Sequence, residues 1–347
     1  MALNSLYKKI FLTGANGWLG GRILRFLQKT QNTPIVCLVP PGQPTQTLQK
    51  LGGEIFPGDL LNPREVNQFL SSGEESLVIH TAGIIHPPGR TTWFDRINYE
   101  GTQTLLNAAT QQGCRRFIAL SSNSPCGTNA SPEETFSENS PYHPYMGYGK
   151  SKHKMELMLL QAMNQKNSPE ITIIRAPWFY GPGQPPRQTA FFQMIQRGAF
   201  PLMGQGLNKR SMVYVDNLAQ GILLAAGKEA AINQLFWMAD ERPYSMLEIV
   251  ETVKAVLQED FGLPCKAKNL HLPSFVSTMA EIVDGLLQTT GLYHQKIHVL
   301  SEMNKTIACD ISKAKKLLGY APAVELREGM HQSIQWCLEN GLIRRSI

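Results

Sequence analysis

The run from Lys9 to Leu27 constrains this chain more than any other stretch. A short apolar segment, Lys9-Ile10-Phe11-Leu12, leads straight into Thr13-Gly14-Ala15-Asn16-Gly17-Trp18-Leu19-Gly20, and then into a helical pattern with Ile23, Leu24 and Leu27 on one face. Glycines at 14, 17 and 20 allow a tight turn, a close approach of backbone to a pyrophosphate, and close packing of helix on strand. The helix N-terminus adds unpaired N–H donors that suit phosphate. A bare glycine pattern says little, but between a first strand and a first helix it predicts a dinucleotide-binding βαβ unit.

The N-terminal half keeps that rhythm. Apolar runs at 34–39, 54–60, 77–83, 116–120 and 171–175 alternate with helical patterns, which predicts a parallel sheet. The expected fold class is α/β. A Rossmann-type doubly wound parallel sheet spans 1–177, with a returning segment at about 211–239, and a smaller, mostly helical C-terminal substrate domain takes 178–210 and 240–347. The Gly- and Pro-rich run from Ala176 to Pro186 marks the crossover. Asp216 is expected to cap a helix, Ser245 and Glu248 form a capping-box pattern, and the apolar segment from Pro273 to Leu292 is predicted to be helical core between the domains.

Composition narrows the function classes. The net charge is +6, and its clusters, Lys8-Lys9, Arg115-Arg116, Lys313 to Lys316 and Arg344-Arg345, are short and far apart. A nucleic-acid surface is denser and interleaved with aromatics, so no nucleic-acid partner is expected. No apolar run approaches the ~18 residues of a membrane span, and the first residues lack a basic segment followed by an apolar one, so the expectation is a cytoplasmic protein. Cys37, Cys114, Cys126, Cys265, Cys309 and Cys337 are scattered without metal-ligand spacing, and neither a metal nor a disulfide framework is expected.

The chemistry concentrates at Tyr148 and Lys152. Four residues apart on a helix, they share a face, and a nearby ammonium favours a phenolate. Upstream, the strand ending at Leu120 runs into Ser121-Ser122-Asn123-Ser124, hydroxyls at the carboxyl edge where such sheets bind ligands. Asp59 fits either an adenine contact or a turn acid before Asn62-Pro63, while Ala82 and Gly83 are small enough for a cofactor to lie against them. No acid occurs between Val39 and Glu54, where a ribose-binding carboxylate would exclude a 2′-phosphate. That tilts the cofactor from NAD toward NADP, with Arg22, Arg25, Lys50, Gln43 or Thr45 as candidate phosphate contacts.

Together these segments resemble the extended short-chain dehydrogenases/reductases, which include nucleotide-sugar epimerases and dehydratases and 3β-hydroxysteroid dehydrogenases. The likeness runs from Lys9 to about Trp336 and takes in Thr13 to Gly20, Asp59-Leu60, His80 to Gly83, Asn98 to Thr102, Ser121-Ser122, Tyr148 to Lys152, Arg175 to Gly183, Val213 to Asp216 and Asp310 to Pro322. The resemblance implies an NAD(P)-dependent enzyme with Tyr148 as acid/base, Lys152 on the nicotinamide ribose and lowering the Tyr148 pKa, and Ser122 on the substrate oxygen. It also implies Gly14, Gly17, Trp18 and Leu19 at the pyrophosphate, Asp59 and Leu60 at the adenine, Ala82 and Gly83 along the dinucleotide, Pro177 near the nicotinamide and Asn98 in support. Counting back from Gly127 selects Ser122 over Ser121 and Ser124; Ser124 remains a substrate candidate. Pro125-Cys126 replaces the family's usual Val-Tyr pair there.

The substrate divides the motifs. Trp178 stands where nucleotide-sugar enzymes carry Asn, and the expected substrate is an apolar or 3β-hydroxysteroid-like alcohol or ketone, slightly ahead of a nucleotide sugar. Arg210 stands where those enzymes hold a phosphate, favouring a nucleotide sugar. A non-catalytic NAD(P)-binding regulator is the third reading, and such proteins commonly lose the tyrosine or lysine present here. The resemblance further implies a homodimer and a small-molecule substrate.

Overall fold

The computed structural model describes residues 3–30 and 32–343. Arg344 and Arg345 lie outside the described residues. Seven strands build the main sheet: β1 (Ile10–Thr13), β2 (Ile35–Val39), β3 (Glu54–Pro57), β4 (Leu77–His80), β5 (Arg116–Ser122), β6 (Glu170–Ala176) and, after the short β7 (Trp178–Tyr180), β8 (Pro201–Met203), β9 (Lys209–Arg210) and β10 (Met212–Tyr214), the returning β11 (Gln234–Trp237). Their spatial order is β11-β6-β5-β4-β1-β2-β3, all parallel. The chain winds outward from β1 in one direction and from β4 in the other, so the switch point lies between β1 and β4. A ligand crevice forms there at the carboxyl edge.

Strand alternation decides the two layers of helices. Ile10 and Leu12 of β1 join one core with Ile23, Leu24 and Leu27 of α1 (Trp18–Thr30), while Phe11 joins the other with Val66 and Phe69. Short helices α2 (Gln46–Lys50), α3 (Pro63–Phe69) and α4 (Thr92–Phe94), then α5 (Gly101–Gln111) and α6 (Met146–Ala162), follow in chain order. Leu105 of α5 and Met155 and Leu159 of α6 pack on the Phe11 side. A third core gathers Phe191, Phe192 and Ile195 of α7 (Pro186–Gln196), Ile249, Val250 and Val253 of the later helix 246–255, and Met330 and Ile334 near the C-terminus. Burial of such side chains stabilises by roughly 1.5–3 kcal/mol each before the entropy cost.

Three local expectations change. Asp216 does not cap the helix α8 (Val215–Gly227): its carboxylate accepts from Arg22 Nε at 2.5 Å, an attraction a cap bond cannot match. Ser245 does accept from the Glu248 N–H at 3.0 Å and opens α9 (Met246–Ala255), but the Glu248 carboxylate turns to Arg242 and leaves the capping box half made. The third change concerns α10 (Phe275–Thr289), expected in the core. Its buried side is small and polar, Ser277, Ala280 and Asp284, held by hydrogen bonds from Ser277 to the Leu300 and Ser301 carbonyls. Phe275, Met279, Ile282, Val283 and Leu286 face outward, and Phe275, Ile282 and Leu286 are each 60% or more exposed.

Candidate functional site

The glycine turn after β1 is built by contacts that no side chain fits. Gly14 has φ +74°, and a Cβ there would lie 2.7 Å from the Ala82 nitrogen. A Cβ on Gly20 would lie 2.1 Å from the Gly14 carbonyl oxygen, so α1 starts directly on the strand end. The Gly17 N–H donates to the Gly14 oxygen at 2.9 Å. Trp18 turns its ring away, donating from Nε1 to the Pro182 carbonyl at 2.8 Å and packing 5.5 Å from Phe179. Leu19 is buried in the core, so both residues offer only backbone to the turn.

The neighbouring strand ends are equally tight. A Cβ on Gly83 would meet Asn98 Oδ1 at 3.2 Å and Lys152 Nζ at 3.7 Å. Asn98, fully buried, accepts from the Ile84 N–H and donates to the Ile84 carbonyl and to Ser151 Oγ, tying this strand end to α6. His80 bridges Thr13 Oγ1 and Thr102 Oγ1, and burial, with the Lys152 charge adding to it, pulls its pKa to about 3. Asp59 is exposed and forms a turn with the Leu61 N–H at 2.9 Å, while Leu60 is buried beside it. Pro177 is buried between β6 and β7.

Helix α6 brings the reacting groups together. Gly147 and Gly149 flank Tyr148, and each lies where a Cβ would collide, with the Phe94 ring at 3.0 Å and with the Ser124 carbonyl at 2.6 Å. That approach sets Tyr148 against the β5 end. The Ser122 hydroxyl is within hydrogen-bonding reach of the Tyr148 phenol and 3.4 Å from the buried Ser124 Oγ. Ser121 faces the other way and donates to Glu156 at 2.5 Å. Glu156 also accepts from Tyr142 at 2.8 Å and from Arg175 Nη2 at 2.7 Å, a fully buried pair fastening α6 to β5 and β6.

The electrostatics differ from the sequence expectation. Burial pushes the Tyr148 phenol up to about 12, and what opposes it is the Ser122 hydrogen bond and the Arg187 charge, not Lys152. Lys152 donates to the Leu120 carbonyl at 2.8 Å and packs on Met155 sulfur; burial pulls it down to about 8, and Glu156 works against that fall. The ammonium serves the strand end, so in this structure it does not depress the phenol.

Residues from the second half close the cleft over Tyr148. Arg187 of α7 contacts His86 Nε2, and His86 Nδ1 lies 2.6 Å from Tyr293 Oη. Tyr145 shares a 2.8 Å hydrogen bond with Ser301, the Gly147 N–H donates to Gln288, and His298 pairs with the buried Asp284 at 2.7 Å. Arg210 donates to the Glu302 carbonyl and makes no ion pair among the described residues. Trp178 packs edge-on to Phe191 at 5.4 Å, so the third core absorbs its bulk. Sequence reading missed Arg187, His86, Tyr293, His298, Asp284 and Glu302, because they meet only through long-range packing. The sole local hint was Arg187 directly after the crossover run.

The sequence model for the NAD dependent epimerase/dehydratase family matches residues 10–236. The chain belongs to the NAD dependent epimerase/dehydratase family. Among similar proteins, the uncharacterized protein y4nL of Sinorhizobium fredii is 51% identical over 96% of each chain. The UDP-glucose 4-epimerase of Vibrio cholerae is 27% identical over 96% of each. The crystal structure of gox2253 superposes with a TM-score of 0.80 at 23% identity, covering 97% of this chain and 100% of the other, a likeness of fold. As a family member the chain is an enzyme of the short-chain dehydrogenase/reductase superfamily.

Proposed function

We propose that this enzyme uses NAD to oxidise and reduce a secondary carbinol on a nucleotide sugar, as a 4-epimerase or dehydratase does. The observation that carries the chemistry is the buried Tyr148 phenol against the Ser122 hydroxyl, one helical turn before Lys152. The dinucleotide fits: the close approach of Gly20 to the Gly14 carbonyl starts α1 directly on the β1 end, where the N–H groups of its first turn suit a pyrophosphate. Gly14, Gly17, and the backbone of Trp18 and Leu19 would hold its pyrophosphate, Asp59 and Leu60 its adenine, Ala82, Gly83, Asn98 and Pro177 its flank, and Lys152 its nicotinamide ribose. Bound there, the nicotinamide supplies a hydride acceptor and donor.

The chain's own residues move the proton. Tyr148 as phenolate accepts the hydroxyl proton, and as phenol returns it to the forming alkoxide. Ser122 donates to that oxygen as charge develops, with Ser124 beside it. Residues 178–210 and 240–347 frame the substrate. NAD is favoured over NADP by the NAD dependence of the matched family, and Arg22, one candidate 2′-phosphate contact, is committed to Asp216.

The nucleotide-sugar reading rests on Arg210, a half-buried guanidinium in the cleft without an ion pair among the described residues, suited to a diphosphate. The second reading, an apolar alcohol or ketone of the 3β-hydroxysteroid kind, is favoured by one observation, the outward apolar face of α10. Thermal-shift and calorimetric titrations with UDP-glucose and with a 3β-hydroxysteroid separate them. Binding of UDP-glucose that Arg210→Ala weakens by roughly tenfold or more is expected. Steroid binding with no response to UDP-glucose overturns the nucleotide-sugar reading.

A further inference from the structure

We propose that Arg187, held by His86 and joined by Tyr293, forms a carboxylate-binding site beside Tyr148, so that the substrate carries an acid group close to its carbinol carbon. This rests on the reading of Tyr148 as the acid/base and adds a group that the substrate must bear. Arg187 is the second residue of α7, stands solvent-accessible at the cleft and makes no ion pair among the described residues. Glu302, the acid its charge feels at longer range, lies 4.0 Å from His298 Nε2.

The hydrogen-bond capacity of the cluster decides what it takes. A guanidinium donates and never accepts, so His86 Nε2 accepts from Arg187 and the imidazole proton sits on Nδ1. That N–H donates to Tyr293 Oη at 2.6 Å, which leaves the Tyr293 hydroxyl proton without an acceptor among the described residues. Tyr293 is buried, and its ring stands edge-on to Phe94 at 5.5 Å, while Phe94 lies 6.0 Å from the Tyr148 ring. Tyr148, Phe94 and Tyr293 form one buried cluster, so the spare donors open next to the reacting phenol. The Arg187 charge also favours the phenolate of Tyr148. Every unused group in the cluster is a donor, and one of them is a planar cationic fork. A carboxylate, planar and acceptor-only, satisfies it; a neutral hydroxymethyl group leaves the charge unpaired.

The test compares UDP-glucuronate with UDP-glucose, which differ by carboxylate against hydroxymethyl, by calorimetry on NAD-loaded protein. Glucuronate and glucose as free sugars are compared in parallel by thermal shift. The wild type is expected to prefer the acid in each pair by roughly tenfold or more. Arg187→Gln should bring each preference to within about twofold, and Tyr293→Phe, which keeps the ring packing, should reduce it by about threefold. If the nucleotide sugars bind no better than the free sugars, the nucleotide-sugar reading fails, while the acid preference within the free pair still decides the role of Arg187. Equal or absent binding of both partners in both pairs, or an acid preference that survives Arg187→Gln, overturns the proposal.

Discussion

Gly149→Ala is the sharpest local perturbation of the site. The new Cβ would lie 2.6 Å from the Ser124 carbonyl oxygen and 3.1 Å from the Pro144 carbonyl carbon, both backbone atoms that cannot swing aside. Ordinary contact begins at 3.4 Å, so the first turn of α6 and the 122–124 segment must separate by about 3.4 − 2.6 = 0.8 Å. The Tyr145 N–H donates to that same Ser124 oxygen at 3.0 Å, so the shift passes directly into the Ser122–Tyr148 approach. Misplacing a reacting group by about 1 Å costs on the order of a hundredfold in rate. Stability should change far less, because an overpacking cost of ~1–3 kcal/mol is offset by the ~1 kcal/mol helix gain of Gly→Ala. The assay pairs turnover of UDP-glucuronate and of UDP-glucose with a denaturant melt. A folded Gly149→Ala protein turning over within about threefold of wild type would refute the claim that this close approach sets the catalytic geometry.

Two further outcomes follow from the buried charges. Lys152→Met should raise the stability of the cofactor-free protein at pH 7 while abolishing turnover. The folded pKa of about 8 lies below the ordinary 10.5, so the wild type carries the full burial penalty below pH 8, sheds it progressively between pH 8 and 10.5, and the two proteins converge above that range. The gain is on the order of 2 kcal/mol after the lost Leu120 hydrogen bond is discounted, and melts across that pH range check it. Glu156→Gln strands the Arg175 charge in the core and should cost about 3–5 kcal/mol in urea unfolding; a loss below ~1 kcal/mol would show that the pair does not lock α6 to the sheet.

Much of the fold was legible because its signals are local. The alternation of Ile10, Phe11 and Leu12 and the stripe of Ile23, Leu24 and Leu27 report burial through period alone. Gly14 and Gly20 were readable because only glycine fits the approach they make. Tyr148 and Lys152 were readable as a helical pair, but their electrostatics were not, since burial outweighs the Coulomb term that spacing suggests. Helix α10 misled for a related reason. Its apolar stripe predicts a core contact, yet Ser277 and Asp284 make the inward hydrogen bonds and the stripe faces outward. Arg187, His86 and Tyr293 come from three segments more than a hundred residues apart in their extremes, and no periodicity links them. The Trp178–Phe191 contact is not legible in the sequence, because Phe191 meets Trp178 only once α7 is placed.

The central claim is that Tyr148 moves the proton at the reacting carbon, and Tyr148→Phe tests it most directly. The substitution keeps the ring against Phe94 and removes only the phenol oxygen that faces Ser122. Turnover of UDP-glucuronate, with UDP-glucose in parallel, followed by nicotinamide absorbance or product analysis, should fall by at least about a hundredfold, with NAD affinity unchanged by calorimetry. Turnover that stays within about threefold of wild type would contradict the assignment.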